Sequence, residues 1–138
     1  MNLTIPGIPL PTRRARHSRR NGKTITYDPL SEEKETIRWQ IRSKLSNFEL
    51  IEGPIELEFK FFMPIPMSTS KKNLQLILDG KIKHTKKPDV DNVMKTYMDC
   101  MTGIVYIDDG QVYKASACKM YSEYPRTEII VHAEDKKM

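Results

Sequence analysis

"KKPDVDNVMKTYMDCMTGIVYIDDGQV", residues 86–112, decides how the chain is read. Pro88 blocks a helix before it and is tolerated at a helix start, while Gly103 supplies a stop. The stretch therefore predicts a helix from about Asp89 to Thr102. At about 3.6 residues per turn, Val90, Val93, Tyr97, Cys100, Met101 and Ile104 share one face, and Asp91, Lys95, Asp99 and Thr102 the opposite one. "IVYID" then reads as an apolar strand ending in two adjacent acids, Asp108 and Asp109. Neighbours in a strand point to opposite faces, so one of these can face the helix start while the other caps the turn.

Two readings of these aspartates stand side by side. In one, Asp91, Lys95 and Asp99 are a solvated stripe with i,i+4 pairing worth about 0.2–0.5 kcal/mol per pair. In the other, carboxylates from the helix start and the strand end surround a hard divalent cation such as magnesium, which takes oxygen ligands and assists phosphodiester hydrolysis. Lys95, one turn beyond Asp91, then either stabilises charge on the phosphate or helps deprotonate the attacking water.

The charge distribution bears on this choice. The chain has 138 residues, 23 Lys+Arg against 18 Asp+Glu and a net charge of +5. From Met1 to Tyr27 there is no acid, while Arg13, Arg14, Arg16, Arg19, Arg20 and Lys23 are basic. A second block, Lys81, Lys83, Lys86 and Lys87, leads directly into the aspartates. A basic surface that delivers a polyanion to an acidic, metal-filled hole is the charge layout of a nuclease. Cys100 and Cys118 form no CxxC, and His17, His84 and His132 are scattered, which argues against a zinc cluster and for free thiols. No apolar run approaches the ~20 residues of a membrane span. The N-terminal arginines follow the apolar stretch, the reverse of a secretory signal, so a cytoplasmic protein is expected.

The remainder reads as one domain, residues 1–138. "LTIPGIPLP" is a proline-interrupted edge strand, and a mobile basic loop separates it from an Asn21-Gly22 turn and a strand at "KTITY". From Asp28, read as a cap, a helix carries Leu30, Ile37, Ile41, Leu45 and Phe48 on one stripe, with Trp39 off it at a rim or dimer contact. "PIELEFKFFMP" alternates as a half-buried strand with Ile55, Leu57, Phe59, Phe61 and Met63 inward. "SKKNLQLILDG" is a short helix with Leu74, Ile77 and Leu78 inward, and "QVYKASACKMY" and "TEIIVHA" form a hairpin around Pro125. Strands before and after a central helix predict an α/β domain with a mixed sheet packed by helices.

"KPDVDNVMKTYMD" followed by "VYIDDGQV" resembles the RusA family of Holliday junction resolvases, found in bacteria and prophages. The resemblance implies a RusA-like fold and a homodimeric endonuclease. It also implies dependence on Mg2+, with Mn2+ as a substitute, and a substrate of four-way junction DNA. It places Asp89, Asp91 and Asp109 as catalytic metal ligands and Lys95 as the functional lysine, with Asn92, Asp99 and Gln111 in supporting roles. Arg13, Arg14, Arg16, Lys86 and Lys87 are the expected DNA contacts. Pro88 departs from the basic residue that precedes the family's first aspartate, and Lys87 stands one place earlier. A nuclease of this fold for forks, flaps or RNA, or a non-catalytic junction-binding protein, are the alternatives.

Overall fold

Strand β4, Ile55–Pro64, has the strictest alternation in the chain, and the domain is built around it. The computed structural model describes residues 1–13 and 15–134, with the backbone alone for Arg16 and Arg20. In order, the elements are β1 (Asn2–Pro6), β2 (Arg16–Arg20), β3 (Lys23–Tyr27), α1 (Ser31–Ser43), β4, α2 (Lys71–Leu78), α3 (Val90–Met101), a 3-10 turn (Asp109–Gln111), β5 (Val112–Ser122) and β6 (Arg126–Ala133). β1, β6, β4 and β5 lie side by side in that order in one sheet. β4 runs parallel to β5 and antiparallel to β6, so the sheet is mixed as expected.

Ile55, Leu57, Phe59, Phe61 and Met63 are all buried and face α1 and α3, in register with Val131, Ile129 and Thr127 of β6. The opposite face meets solvent with paired polar groups: Glu58 with His132 at 3.3 Å and Glu56 with Lys114 at 3.6 Å. From the helices, Ile37, Ile41, Val93, Tyr97, Cys100 and Met101 complete the core. Met94 and Met98, on the flank of α3, are half-buried against it. Gly103 ends α3 with φ at +83°, a conformation that favours glycine. Among the described residues, no helix is long and apolar enough to cross a membrane.

Four expectations are corrected. β5 and β6 do not pair with each other, because β4 lies between them. β4 needs neighbours on both edges for its buried row, whereas β5 exposes Tyr113–Ser116 and is suited only to an edge. Residues 123–125 span the two strand spacings, about 10 Å, that this order requires. "IVYID" is not a strand. Val105 and Tyr106 are consecutive and both buried, which alternation forbids, and Tyr106 folds back to donate from its hydroxyl to Met98 O at 2.8 Å. The basic segment before Asn21 is not wholly a loop but supplies β2, paired to β3 through an Asn21-Gly22 turn with both φ positive. Leu78 is exposed, so α2 contributes a thinner apolar edge than its pattern suggests.

Ile41→Ala is expected to cost about 2–5 kcal/mol in urea unfolding, against about 0.5 kcal/mol or less for Leu78→Ala. Equal losses would contradict this placement of the core.

Candidate nuclease site

Helix α3 carries acidic groups at both ends. Asp89 is its N-cap residue, although its side chain makes no capping bond, and Asp91 lies in the first turn. Carboxylates there are favoured by the positive end of the helix dipole. Lys95 stands one turn on, and all three side chains are exposed. Beside Asp89, an open cavity of about 580 Å³ is lined by Pro11, Arg13, Lys87, Pro88, Asp89 and Asn92.

Specific bonds hold this end in place. Thr12 N donates to Asn92 O at 3.0 Å, the Thr96 hydroxyl donates to Thr12 Oγ1 at 3.2 Å, and Leu10 N donates to the Tyr97 hydroxyl at 3.1 Å. Lys119 of β5 donates to Lys86 O at 2.7 Å and Pro88 O at 2.8 Å, fixing the chain that enters the helix. Arg13, Lys86 and Lys87 are exposed around this end. Arg14 lies outside the described residues, and Arg16 is placed by backbone only, in β2.

Asp109 lies elsewhere. It belongs to a second open cavity, of about 590 Å³, lined also by Asp28, Lys34, Arg38, Asp99 and Asp108, at the far end of α3. The twelve-residue helix spans about 18 Å. The expected approach of Asp108 or Asp109 to the helix start therefore does not occur within one chain, because the turn carrying them is pinned to the helix's C-terminal end. Gln111 does much of this pinning: its Oε1 accepts from Ile107 N and Asp108 N, and its Nε2 donates to Ile51 O and Gly53 O. The two acids differ sharply in use. Asp108 accepts from Gly110 N at 3.1 Å as part of a capping box, whereas the Asp109 carboxylate has no hydrogen bond or ion pair among the described residues.

The same cavity holds groups that the sequence reading missed. Lys34 is nearly buried and pairs with Asp28 at 2.7 Å and Asp99 at 3.8 Å. Arg38 donates to Asp99 O at 3.4 Å, and Cys100 donates from Sγ to Lys34 O at 3.8 Å. Lys34 thus straps α1 to the negative end of α3. A signal was present, since position 34 falls on the Leu30–Ile37–Ile41 stripe at helical spacing, where a lysine requires a buried partner. Asp28 is also not the residue at the helix boundary: Leu30 is, and Asp28 accepts from Leu30 N and Lys34 Nζ. Burial pushes the Cys100 thiol up to about 11, which makes it unreactive.

Among the described residues, no group of three or more His, Cys, Asp or Glu side chains stands close enough to hold a metal ion. One chain alone does not fit the expected Asp89, Asp91, Asp109 ligand set.

The Lys34 hydrogen bond, with a smaller contribution from Leu30 N, holds the Asp28 carboxyl below its ordinary value. A lowered carboxylate value stabilises the fold above the unfolded-state range and loses that effect as pH falls through the folded value. The stability gap between wild type and Asp28→Asn is therefore expected to be constant above about pH 5 and to close below about pH 4. A gap that widens on acidification would contradict the pairing.

With this geometry in hand, comparison with known proteins gives two matches. The family described as endodeoxyribonuclease RusA matches residues 6–132, a span that includes both ends of α3. An uncharacterized protein, YqaN, of Bacillus subtilis (strain 168) is 34% identical over 135 residues, covering 95% of this chain and 94% of its own. The chain belongs to the RusA family of endodeoxyribonucleases.

Proposed function

We propose that the protein is a homodimeric, Mg2+-dependent endonuclease that resolves four-way DNA junctions. Its catalytic groups are Asp89, Asp91, Asp109 and Lys95. One observation carries the assignment: these carboxylates are exposed and unpaired among the described residues, while Asp28, Asp99 and Asp108 are committed to Lys34 or to a cap. Asp89 and Asp91 are like charges two residues apart with no ion pair among the described residues, a repulsion that a bound cation would relieve.

Hydrolysis requires water to form a bond to phosphorus as the bond to the leaving oxygen breaks. A divalent cation supplies water activation and charge neutralisation when bound, and Mn2+ is expected to substitute for Mg2+. Lys95 presents an ammonium beside Asp91 that can donate to a non-bridging phosphate oxygen as charge builds there. Asp89 and Asp91 hold the negative end of this polar constellation on the rigid first turn of α3.

The separation of Asp109 supports the homodimer. A two-fold axis that passes beside α3 near its midpoint, at right angles to it, runs two copies of the helix antiparallel and carries one chain's Asp109 end towards the other's Asp89–Asp91 end. α3 packs beside β5, and this flank suits self-association. Val90, Met94 and Met98 form an i,i+4 stripe with Val90 exposed, and β5 is an edge strand without proline or acid. Trp39, 67% exposed on α1, is a further candidate contact. Two sites related by a two-fold also suit a junction in which two strands of like polarity must be cut. Free Cys100 and Cys118 suit a bacterial cytoplasm.

Cleavage of a synthetic four-way junction is expected with Mg2+ and not with EDTA, and at lower efficiency on forks, flaps or RNA. Asp91→Asn, Asp89→Asn and Asp109→Asn should each lower the cleavage rate on the order of a thousandfold while junction binding persists. Wild-type cleavage rates in folded Asp91→Asn would reject the site, and Asp108→Asn is expected to be milder. Light scattering should give a dimer, and a stable monomer that makes both cuts would reject the assembly.

A further inference from the structure

Among the described residues, the β2–β3 hairpin contributes no side chain to the buried core, and every residue of β3 is exposed. A lone two-stranded hairpin is marginal in water. This one also lies in a stretch, Met1 to Tyr27, with no acid to balance its cations. Arg19 and Lys23 are exposed and make no ion pair among the described residues. The register pairs Arg19 with Thr24 and Arg20 with Lys23, so by strand alternation Arg19 and Lys23 occupy opposite faces of the ribbon. Lys23 shares its face with exposed Ile25 and Tyr27.

The feet of the hairpin give it a direction. The incoming foot is bonded through Leu10 and Thr12 to Tyr97, Asn92 and Thr96, next to Asp89. The outgoing foot is Asp28, the acid that holds Lys34 in the Asp109 cavity. One foot of the ribbon is thus bonded to α3 beside Asp89, and the other borders the Asp109 cavity.

We propose that the hairpin is a duplex-binding arm. Its occupant is double-stranded DNA, gripped through phosphates on both walls of a groove. A two-stranded ribbon is the width that a B-form major groove admits, and cations on both faces of a ribbon can meet both walls. The arm holds a duplex against the α3 side that carries Asp91 and Lys95. This inference rests on the endonuclease reading and adds which element engages the duplex arms.

The test is binding of a plain duplex and of a four-way junction in EDTA, measured by fluorescence anisotropy across a salt series, alongside a cleavage assay of the wild type. Each phosphate contact contributes about 0.9 to the slope of log affinity against log salt. Arg19→Gln/Lys23→Gln should flatten that slope by about 2 on both DNAs. Arg19→Lys/Lys23→Arg should restore it, and thermal melts should be unchanged because both positions are exposed. An unchanged slope in the Gln variant, with the wild type binding and cutting normally, overturns the arm and leaves the endonuclease reading standing. A flattened slope that coincides with a shift from dimer to monomer in light scattering also overturns it, since the hairpin would then be a clasp between copies. A wild type that neither binds nor cuts DNA overturns both.

Discussion

The seating of α3 on β4 is the constraint on which the rest depends. Val93, Tyr97, Cys100 and Met101 must be buried against the Ile55–Met63 row, and this fixes the rotation of the helix about its own axis. With that rotation set, Asp91 and Lys95 face solvent, and Asn92 and Thr96 meet Thr12. A helix is also a rigid rod, so its length fixes the distance between the acids at its two ends. The position of the candidate catalytic groups is thus a consequence of hydrophobic packing, although none of those groups takes part in it.

Electrostatics then divides the aspartates into two kinds. Lys34 pairs with Asp28 and Asp99, and the Gly110 amide donates to Asp108, which engages those acids within the fold. Asp89, Asp91 and Asp109 are left over, split between two cavities. Among the described residues neither end of α3 brings these three carboxylates together, and in the proposed dimer a second copy supplies the missing one. In this account, association and chemistry are one requirement, because the Gln111 clamp that keeps Asp109 away from its own chain's Asp91 also presents it outward.

Much of this was legible in the chain. The period of two in β4 and the Pro88-to-Gly103 bracket of α3 each have one physical reading, and both elements form as read. The Asn21-Gly22 turn was legible for the same reason, since both residues must take positive φ. What was hidden is non-local. Whether β5 pairs with β6 or with β4 depends on which strand can tolerate an edge, and that is decided by comparing burial across the whole sheet. Adjacent Val105 and Tyr106 look like a strand until the loop at Ile51 is known to bond with Val105 O. Of the candidate site, the residues were readable as a motif, but their division between two ends was not. The sequence places Asp109 after the helix and leaves open the end to which its turn returns.

In the proposed dimer a working site draws Asp89 and Asp91 from one chain and Asp109 from its partner. The most direct measurement mixes two inactive proteins, Asp91→Asn and Asp109→Asn, under conditions that allow subunit exchange, and assays junction nicking with Mg2+. In a mixed dimer one site carries both substitutions and the other carries neither, so nicking of one strand should reappear although each protein alone is silent. If mixed dimers form, as shown by mass, and nicking stays absent, the three aspartates are not shared between chains and the account is wrong.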